Sequence, residues 1–322
     1  MPGSSTLTNM PLVYPQALKP GDTIAIISPA APTVNEDSSD SIDLFDAGLA
    51  VLEKAGYRVR LMPHAREKRL YLAGTDEQRV ADLHAAFADP TVKGILCARG
   101  GYGCMRLLPH LDFDLIAANP KVFIGFSDVT SLLLPFYQRT GLVGFYGPML
   151  TSNLAHDEPD SVAELLTLVG NTASFPYRVP NHDAYHAFHT GVVEAPLVGG
   201  NLSLLTSLCG TPFQPETRGH LLFIEDWKES RYSLDRQFRQ LHLAGLFDGI
   251  AGLLLCDFSE VEDDPAQTLP DFLQEMMEFL TVPRGYGFSV GHGTQTGTLP
   301  IGIPARFDAG SGELTLLRAP VQ

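Results

Sequence analysis

Three short segments carry side chains that could move a proton. In Val122-Phe-Ile-Gly-Phe-Ser-Asp-Val-Thr130 an apolar strand turns abruptly through Gly125 and Ser127 into a helix. A serine on such a turn projects its hydroxyl at the sheet edge, beside helix N-terminal amides that can receive a developing oxyanion. The match to the G-x-S-x-G elbow is incomplete, because Gly125-Phe-Ser-Asp-Val129 ends in valine. Taken alone, this segment favours a plainer role, with Ser127 or Asp128 capping the helix through an oxygen. Leu221-Leu-Phe-Ile-Glu-Asp-Trp227 ends a second apolar strand in two carboxylates, and Gly287-Phe-Ser-Val-Gly-His-Gly293 ends a third in a histidine between glycines. Singly, Glu225 reads as a solvated strand end beside Lys228, and His292 as a structural imidazole. Jointly they could form a relay. Glu225 fixes the tautomer of His292, and His292 takes the proton of Ser127, whose hydroxyl has almost no nucleophilicity without a base.

Other clusters are weaker. Gly94-Ile-Leu-Cys-Ala-Arg-Gly-Gly-Tyr-Gly103 opens a strand into a glycine loop whose amides could approach a phosphate or an oxyanion, and a tight turn needing positive φ explains it equally well. Its spacing is not the dinucleotide fingerprint, which leaves a nucleotide-dependent oxidoreductase unsupported. His182, His186 and His189 resemble a metal trio by composition but lack a helical spacing and an acidic partner set, so they read as exposed loop residues. The run Glu260-Val-Glu-Asp-Asp264 reads as a solvated loop, and Trp227 as either core or a cleft wall. Cys97, Cys104, Cys209 and Cys256 fit no zinc spacing and read as reduced, mostly buried thiols.

The elements that must position these residues alternate. Strands are expected at 22–29, 57–62, 94–98 and 122–125, with helices at 41–55, 75–88 and 129–138, which predicts an α/β fold: a Rossmann-like or flavodoxin-like parallel sheet. Residues 1–170 form this first domain. Periodicity fails over 171–190, which is assigned as a linker, and 191–322 reads as a smaller β-rich α+β domain with strands at 221–225, 252–256, 287–290 and 314–317. The net charge of -15 repels polyphosphate and anionic lipid, so neither nucleic acid nor membrane is expected as a partner. No signal-peptide pattern opens the chain and no stretch is long enough to span a bilayer, so a cytoplasmic location is expected.

The chain resembles the LD-carboxypeptidase family of serine peptidases, also called the muramoyltetrapeptide carboxypeptidase family. The pieces that carry the likeness are Lys19-Pro-Gly-Asp22 with Ile27-Ser-Pro-Ala30, Ala98-Arg-Gly-Gly-Tyr-Gly103, Ile124-Gly-Phe-Ser-Asp128, Tyr146-Gly-Pro148, Gly199-Gly-Asn-Leu202, Ile224-Glu-Asp226 and Gly291-His-Gly293. They run in order along nearly the whole chain. The resemblance implies a catalytic triad at Ser127, Glu225 and His292, and an oxyanion hole of backbone amides, placed at Gly101 and Asp128. It also implies a homodimer, no metal and no organic cofactor. The implied reaction releases the terminal D-alanine of the murein tetrapeptide L-Ala-D-Glu-diaminopimelate-D-Ala in peptidoglycan recycling. Arg99 and Arg106 are candidates, by closeness in sequence, for gripping the substrate's terminal carboxylate, and Trp227 for walling the cleft. A related branch hydrolyses peptidyl-nucleotide antibiotics of the microcin C type. From a different class, a non-catalytic peptide- or sugar-binding protein also places two α/β lobes around a cleft.

Overall fold

The structure is a computed structural model that describes residues 11–33, 40–156, 158–181, 184–262 and 264–322, with the side chains of 40–43 left out. The first half builds the parallel sheet that its alternation predicts. Strands β1 (Thr23–Ile27), β2 (Arg58–Leu61), β3 (Val92–Cys97), β4 (Val122–Gly125) and β5 (Phe145–Tyr146) pair in the order β5-β4-β3-β1-β2, all parallel. Connecting helices are α1 (Asp40–Lys54), α2 (Asp76–Ala88), α3 (Phe113–Ala118), α4 (Thr130–Thr140) and α5 (Pro159–Val169). The central strands are continuous apolar runs because helices cover both faces, whereas the edge strand β2 is Arg-Val-Arg-Leu and largely exposed. Thr75 starts α2 through a reciprocal box with Gln78. The strand order reverses between β1 and β3. A parallel sheet opens its crevice beyond the carboxyl ends of the strands at such a reversal, and the glycine loop after β3 and Ser127 after β4 both lie there.

The second sheet holds β6 (Tyr177–Arg178), β7 (His186–His189), β8 (Val192–Asn201), β9 (Leu221–Trp227), β10 (Gly252–Ser259), β11 (Arg284–Tyr286), β13 (Pro304–Asp308) and β14 (Glu313–Leu316), in the order β6-β14-β13-β8-β9-β10-β11-β7. Its four middle strands, β8 to β11, are parallel and its flanks antiparallel. Helices α6 (Leu202–Leu208), α7 (Arg231–Leu243) and α8 (Leu269–Met276) belong to this half. Strand β12 (Leu299–Pro300) leaves it and pairs antiparallel with β5, closing the edge of the first sheet.

Three expectations are corrected. Segment 171–190 is not a bare linker. It supplies β6 and β7, the two outermost strands of the second sheet, which are held by ladder hydrogen bonds to β14 and β11 and show little apolar periodicity because they are short and exposed. A cut at 190 also fails at the other end, since β12 lies in the first sheet. The strand expected at 287–290 is Arg284–Tyr286 instead; it ends at Gly287, where φ is 104° and the Ala184 carbonyl occupies the space of a side chain. His186 and His189 are exposed on β7, while His182 lies outside the described residues. Among the described residues no helix is long and apolar enough to cross a membrane.

Candidate active site

The three side chains meet. His292 Nε2 lies 3.0 Å from Ser127 Oγ, and His292 Nδ1 lies 2.6 Å from Glu225 Oε2. A carboxylate only accepts, so Nδ1 carries the proton, and Nε2 is left as the acceptor facing the serine hydroxyl.

Each side chain is placed by its backbone. Ser127 follows the extended Phe126 and sits at φ 59°, in the left-handed region that a serine rarely occupies. It opens a short 3-10 turn, Ser127–Val129, that runs straight into α4. Neither Ser127 nor Asp128 caps that helix: the serine hydroxyl faces His292, and Asp128 Oδ2 accepts the Cys104 amide at 2.8 Å. The valine that spoils the elbow motif has a counterpart. A Cβ on Gly125 would lie 2.8 Å from Val129 Cγ1, so the small residue is needed before the serine because a large one follows it. Gly100 crosses in front of the nucleophile, where a Cβ would sit 2.9 Å from Ser127 Cβ and 3.5 Å from the Asp128 amide nitrogen. The glycine loop therefore brings its backbone against the serine.

Glu225 is fully buried near the end of β9, which removes the solvated reading. Its carboxylate is held by donors. Tyr146 Oη donates to Oε1 at 2.6 Å, and Asn201 Nδ2 donates to the same oxygen at 3.1 Å and to Asp226 Oδ1 at 2.8 Å. Tyr146 also accepts the Ser127 amide at 3.2 Å, so one hydroxyl bridges the nucleophile's backbone and the acid. Thr130 ties the same corner, donating to the Ser127 carbonyl at 2.6 Å and accepting the Asn201 amide at 3.1 Å. Gly291 has φ 123°, and a side chain there would overlap the Glu225 carboxylate, so the residue before the histidine must be glycine.

Electrostatics make the imidazole a stronger base. Burial by itself lowers the His292 pKa, but the Glu225 charge and hydrogen bond, helped by Asp226 and Asp257, outweigh it and raise the group above its ordinary value. Asp226 beside it is pushed up to about 6, by burial first and by the Glu225 charge second.

A cleft of about 430 Å³ opens over these groups, lined by Arg99, Gly100, Gly101, Phe126, Ser127, Met149, Ser152, Asn153, Glu158, Trp227, Glu260, Gly291, His292 and Gly293. Of the two arginines proposed for a carboxylate, Arg99 lines it and Arg106 does not. The Arg106 guanidinium is engaged by Asp76 through Nε at 2.9 Å and Nη2 at 2.7 Å. Trp227 is a wall, 41% exposed, with its ring stacked on His292. Glu260, expected in a solvated loop, is exposed there and accepts the Trp227 indole N–H at 2.9 Å. Tyr146, Thr130 and Glu158 were given no role by the sequence. Tyr146 and Asn201 stand inside two of the quoted pieces, Tyr146-Gly-Pro148 and Gly199-Gly-Asn-Leu202, which is the signal that could have found them. Among the described residues there is no group of three or more histidine, cysteine or acidic side chains placed to hold a metal ion.

Family models match both halves of the chain: the LD-carboxypeptidase N-terminal domain over 24–147 and the LD-carboxypeptidase C-terminal domain over 194–307. The chain is 40% identical over 299 residues to a probable murein peptide carboxypeptidase of Bacillus subtilis, covering 91% of each. It is similar in structure to the microcin C7 self-immunity protein MccF in complex with aspartyl sulfamoyl adenosine, at TM-score 0.86 and 27% identity, over 96% of this chain and 100% of that one. It is also similar to a muramoyltetrapeptide carboxypeptidase from Oxalobacter formigenes, at TM-score 0.77 and 30% identity, over 91% of this chain and 97% of that one. With both family domains present in order and such identity over nine-tenths of its length, this chain belongs to the LD-carboxypeptidase family.

Proposed function

We propose that the chain is a serine LD-carboxypeptidase that releases the terminal D-alanine of the murein tetrapeptide L-Ala-D-Glu-diaminopimelate-D-Ala during peptidoglycan recycling. The observation that carries this reading is the unbroken Ser127 Oγ, His292 Nε2, His292 Nδ1, Glu225 Oε2 chain on the floor of a cleft. His292 deprotonates Ser127, and the alkoxide attacks the carbonyl between the L-centre of diaminopimelate and D-alanine. The amides of Gly101 and Asp128 receive the negative oxygen; the approach of the glycine loop to Ser127 supports that assignment. The tetrahedral species collapses as His292 gives its proton to the leaving amine, and an acyl-enzyme forms. Water activated by the same imidazole then releases the tripeptide, while Glu225 stabilises the imidazolium without taking its proton. Arg99 lines the cleft, which supports it as the cation that meets the terminal carboxylate. The enzyme works in the cytoplasm as a homodimer, with neither metal nor organic cofactor in the reaction.

The relation to MccF favours a second substrate class, a peptidyl nucleotide whose base stacks on an aromatic wall; Trp227 is such a wall. Mass spectrometry separates the readings. Purified protein incubated with murein tetrapeptide is expected to yield tripeptide and D-alanine. Ser127→Ala is expected to lose turnover by about a millionfold, by analogy with other serine hydrolases. Cleavage of an aminoacyl-sulfamoyl adenosine with the tetrapeptide left intact would replace the first reading by the second, and undiminished activity in Ser127→Ala would remove both.

A further inference from the structure

We infer that Trp227 is a positioning residue for the base, its indole face holding the His292 imidazole in the plane that reaches Ser127 and stabilising the ring's protonated form. The two rings lie 7° from parallel with centroids 5.6 Å apart. The edge of Phe126 meets the same imidazole at 4.9 Å and 61°, so the ring has aromatic contact from two elements. An exposed tryptophan is not held by a core. Trp227 is held by polar hooks instead: its indole N–H donates to Glu260 Oε1 at 2.9 Å, and its amide donates to Asp226 Oδ1 at 2.8 Å. The Cβ bond and the two ring hydrogen bonds set the imidazole plane, and a flat surface against one face keeps the ring from turning about its side-chain torsions when the bond to Ser127 is broken during turnover.

The charge consequence follows from the indole quadrupole, which attracts a cation placed over its face. Glu225, Asp226 and Asp257 already favour the imidazolium from β9 and β10. On the indole side the charges are Lys228, whose Nζ lies 4.2 Å from the ring centroid, and Glu260, which pairs with it at 3.3 Å. Lys228 competes for the indole's electrons, and Glu260 offsets its charge. The imidazolium appears in the transition states for acyl-enzyme formation and breakdown, so a stack that favours it acts on turnover more than on substrate binding.

The inference rests on His292 being the catalytic base, and its test includes one arm that needs no substrate. Trp227 is the chain's single tryptophan, so its emission reports this stack alone. Protonated imidazole quenches indole, and emission of the unmodified protein is expected to fall as pH is lowered through the His292 transition. In His292→Gln the titration should vanish. A titration that persists in His292→Gln, belonging then to Asp226 or Glu260, or a flat response in the unmodified protein, overturns the stack. With the tetrapeptide as substrate, Trp227→Leu is expected to lower kcat about two- to fivefold with KM unchanged, and to move the acid limb of kcat/KM about half a pH unit lower. Trp227→Phe should recover part of both. A raised KM at unchanged kcat with the limb in place would make Trp227 a substrate wall and overturn the inference. If the emission titrates but the tetrapeptide is untouched, the substrate assignment fails and the stack survives.

Discussion

The hydroxyl of Tyr146 stands between nucleophile and acid, accepting from the Ser127 amide and donating to Glu225, and its two roles have separable consequences. In Tyr146→Phe the Ser127 amide loses its partner at a residue already held at φ 59°, and among the described residues the Glu225 carboxylate keeps only Asn201 and His292. An unmatched buried group costs about 1 to 3 kcal/mol, so kcat is expected to fall roughly 10- to 100-fold. The pH profile carries the sign. Glu225 raises His292, and a carboxylate stripped of its tyrosine donor attracts the imidazolium more strongly, so the acid limb of kcat/KM moves up in Tyr146→Phe. Glu225→Gln removes the charge and moves the limb down, while the lost tautomer control lowers kcat by about 10⁴. Limbs that move the same way in both variants would refute the arrangement of donors around Glu225. At this scale the sequence was informative where a polar residue comes just after an apolar run: Ser127 and His292 stand shortly after a glycine, and Glu225 stands before a second acid. Tyr146 and Asn201 read as ordinary polar residues, because what makes them matter is a partner 79 and 24 positions away.

Helix α5 and the segment it grips show what an element does for the site. Ser161 accepts the Thr296 amide at 2.9 Å, Glu164 Oε2 accepts the Thr298 amide at 3.3 Å, and Thr296 Oγ1 donates back to the Gly291 carbonyl at 2.7 Å. The residue before His292 is thus anchored to a helix of the first half. Glu164 stabilises this segment only as an acceptor. It is nearly buried, with Oε1 unpartnered among the described residues, and burial pushes its pKa up to about 7. Unfolded, the group ionises from about 4.5; folded, it holds its proton until about 7. The folded state therefore loses stability as pH rises between those values and stays at the lower level above them. Glu164→Gln mimics the protonated acid, and is expected to be about 2 to 3 kcal/mol more stable than the unmodified protein near pH 8 and equal to it below about pH 4.5. Denaturant midpoints at the two pH values check this; an equal gap at both would mean that ionisation is not the cause. Such elements were legible when long and periodic, as α2 and β1 were. β8 was hidden, because glycines interrupt an apolar strand pattern; Gly199 and Gly200 are strand residues whose missing side chains admit the Phe223 backbone and the Thr130 side chain. β6, β7 and β12 carry too few residues to show any period.

Across the whole molecule the two sheets are not independent, although family models match each half separately. Ser127 follows β4 of the first sheet, Glu225 lies near the end of β9 in the second, and His292 lies on the segment joining β11 to β12. One continuous apolar cluster includes residues of both sheets, and Tyr146 meets Phe223 ring to ring across them at 5.3 Å. The chain is also stitched twice. Strand β12 returns from the second half to β5, and Gln322 exchanges backbone hydrogen bonds with Pro15 and Ala17, both at 2.9 Å. Opening the interface would leave an edge strand unpaired, strand the buried Glu225 without Tyr146, and expose apolar surface on both sides, so no half-unfolded state is favourable. Calorimetry is therefore expected to give a single transition whose calorimetric and van't Hoff enthalpies agree per cooperative unit, with loss of peptidase activity following the same curve. Two resolved transitions, or activity lost well before the heat is absorbed, would mean that the sheets part while each stays folded, and the triad would then be assembled by domain closure and not by folding.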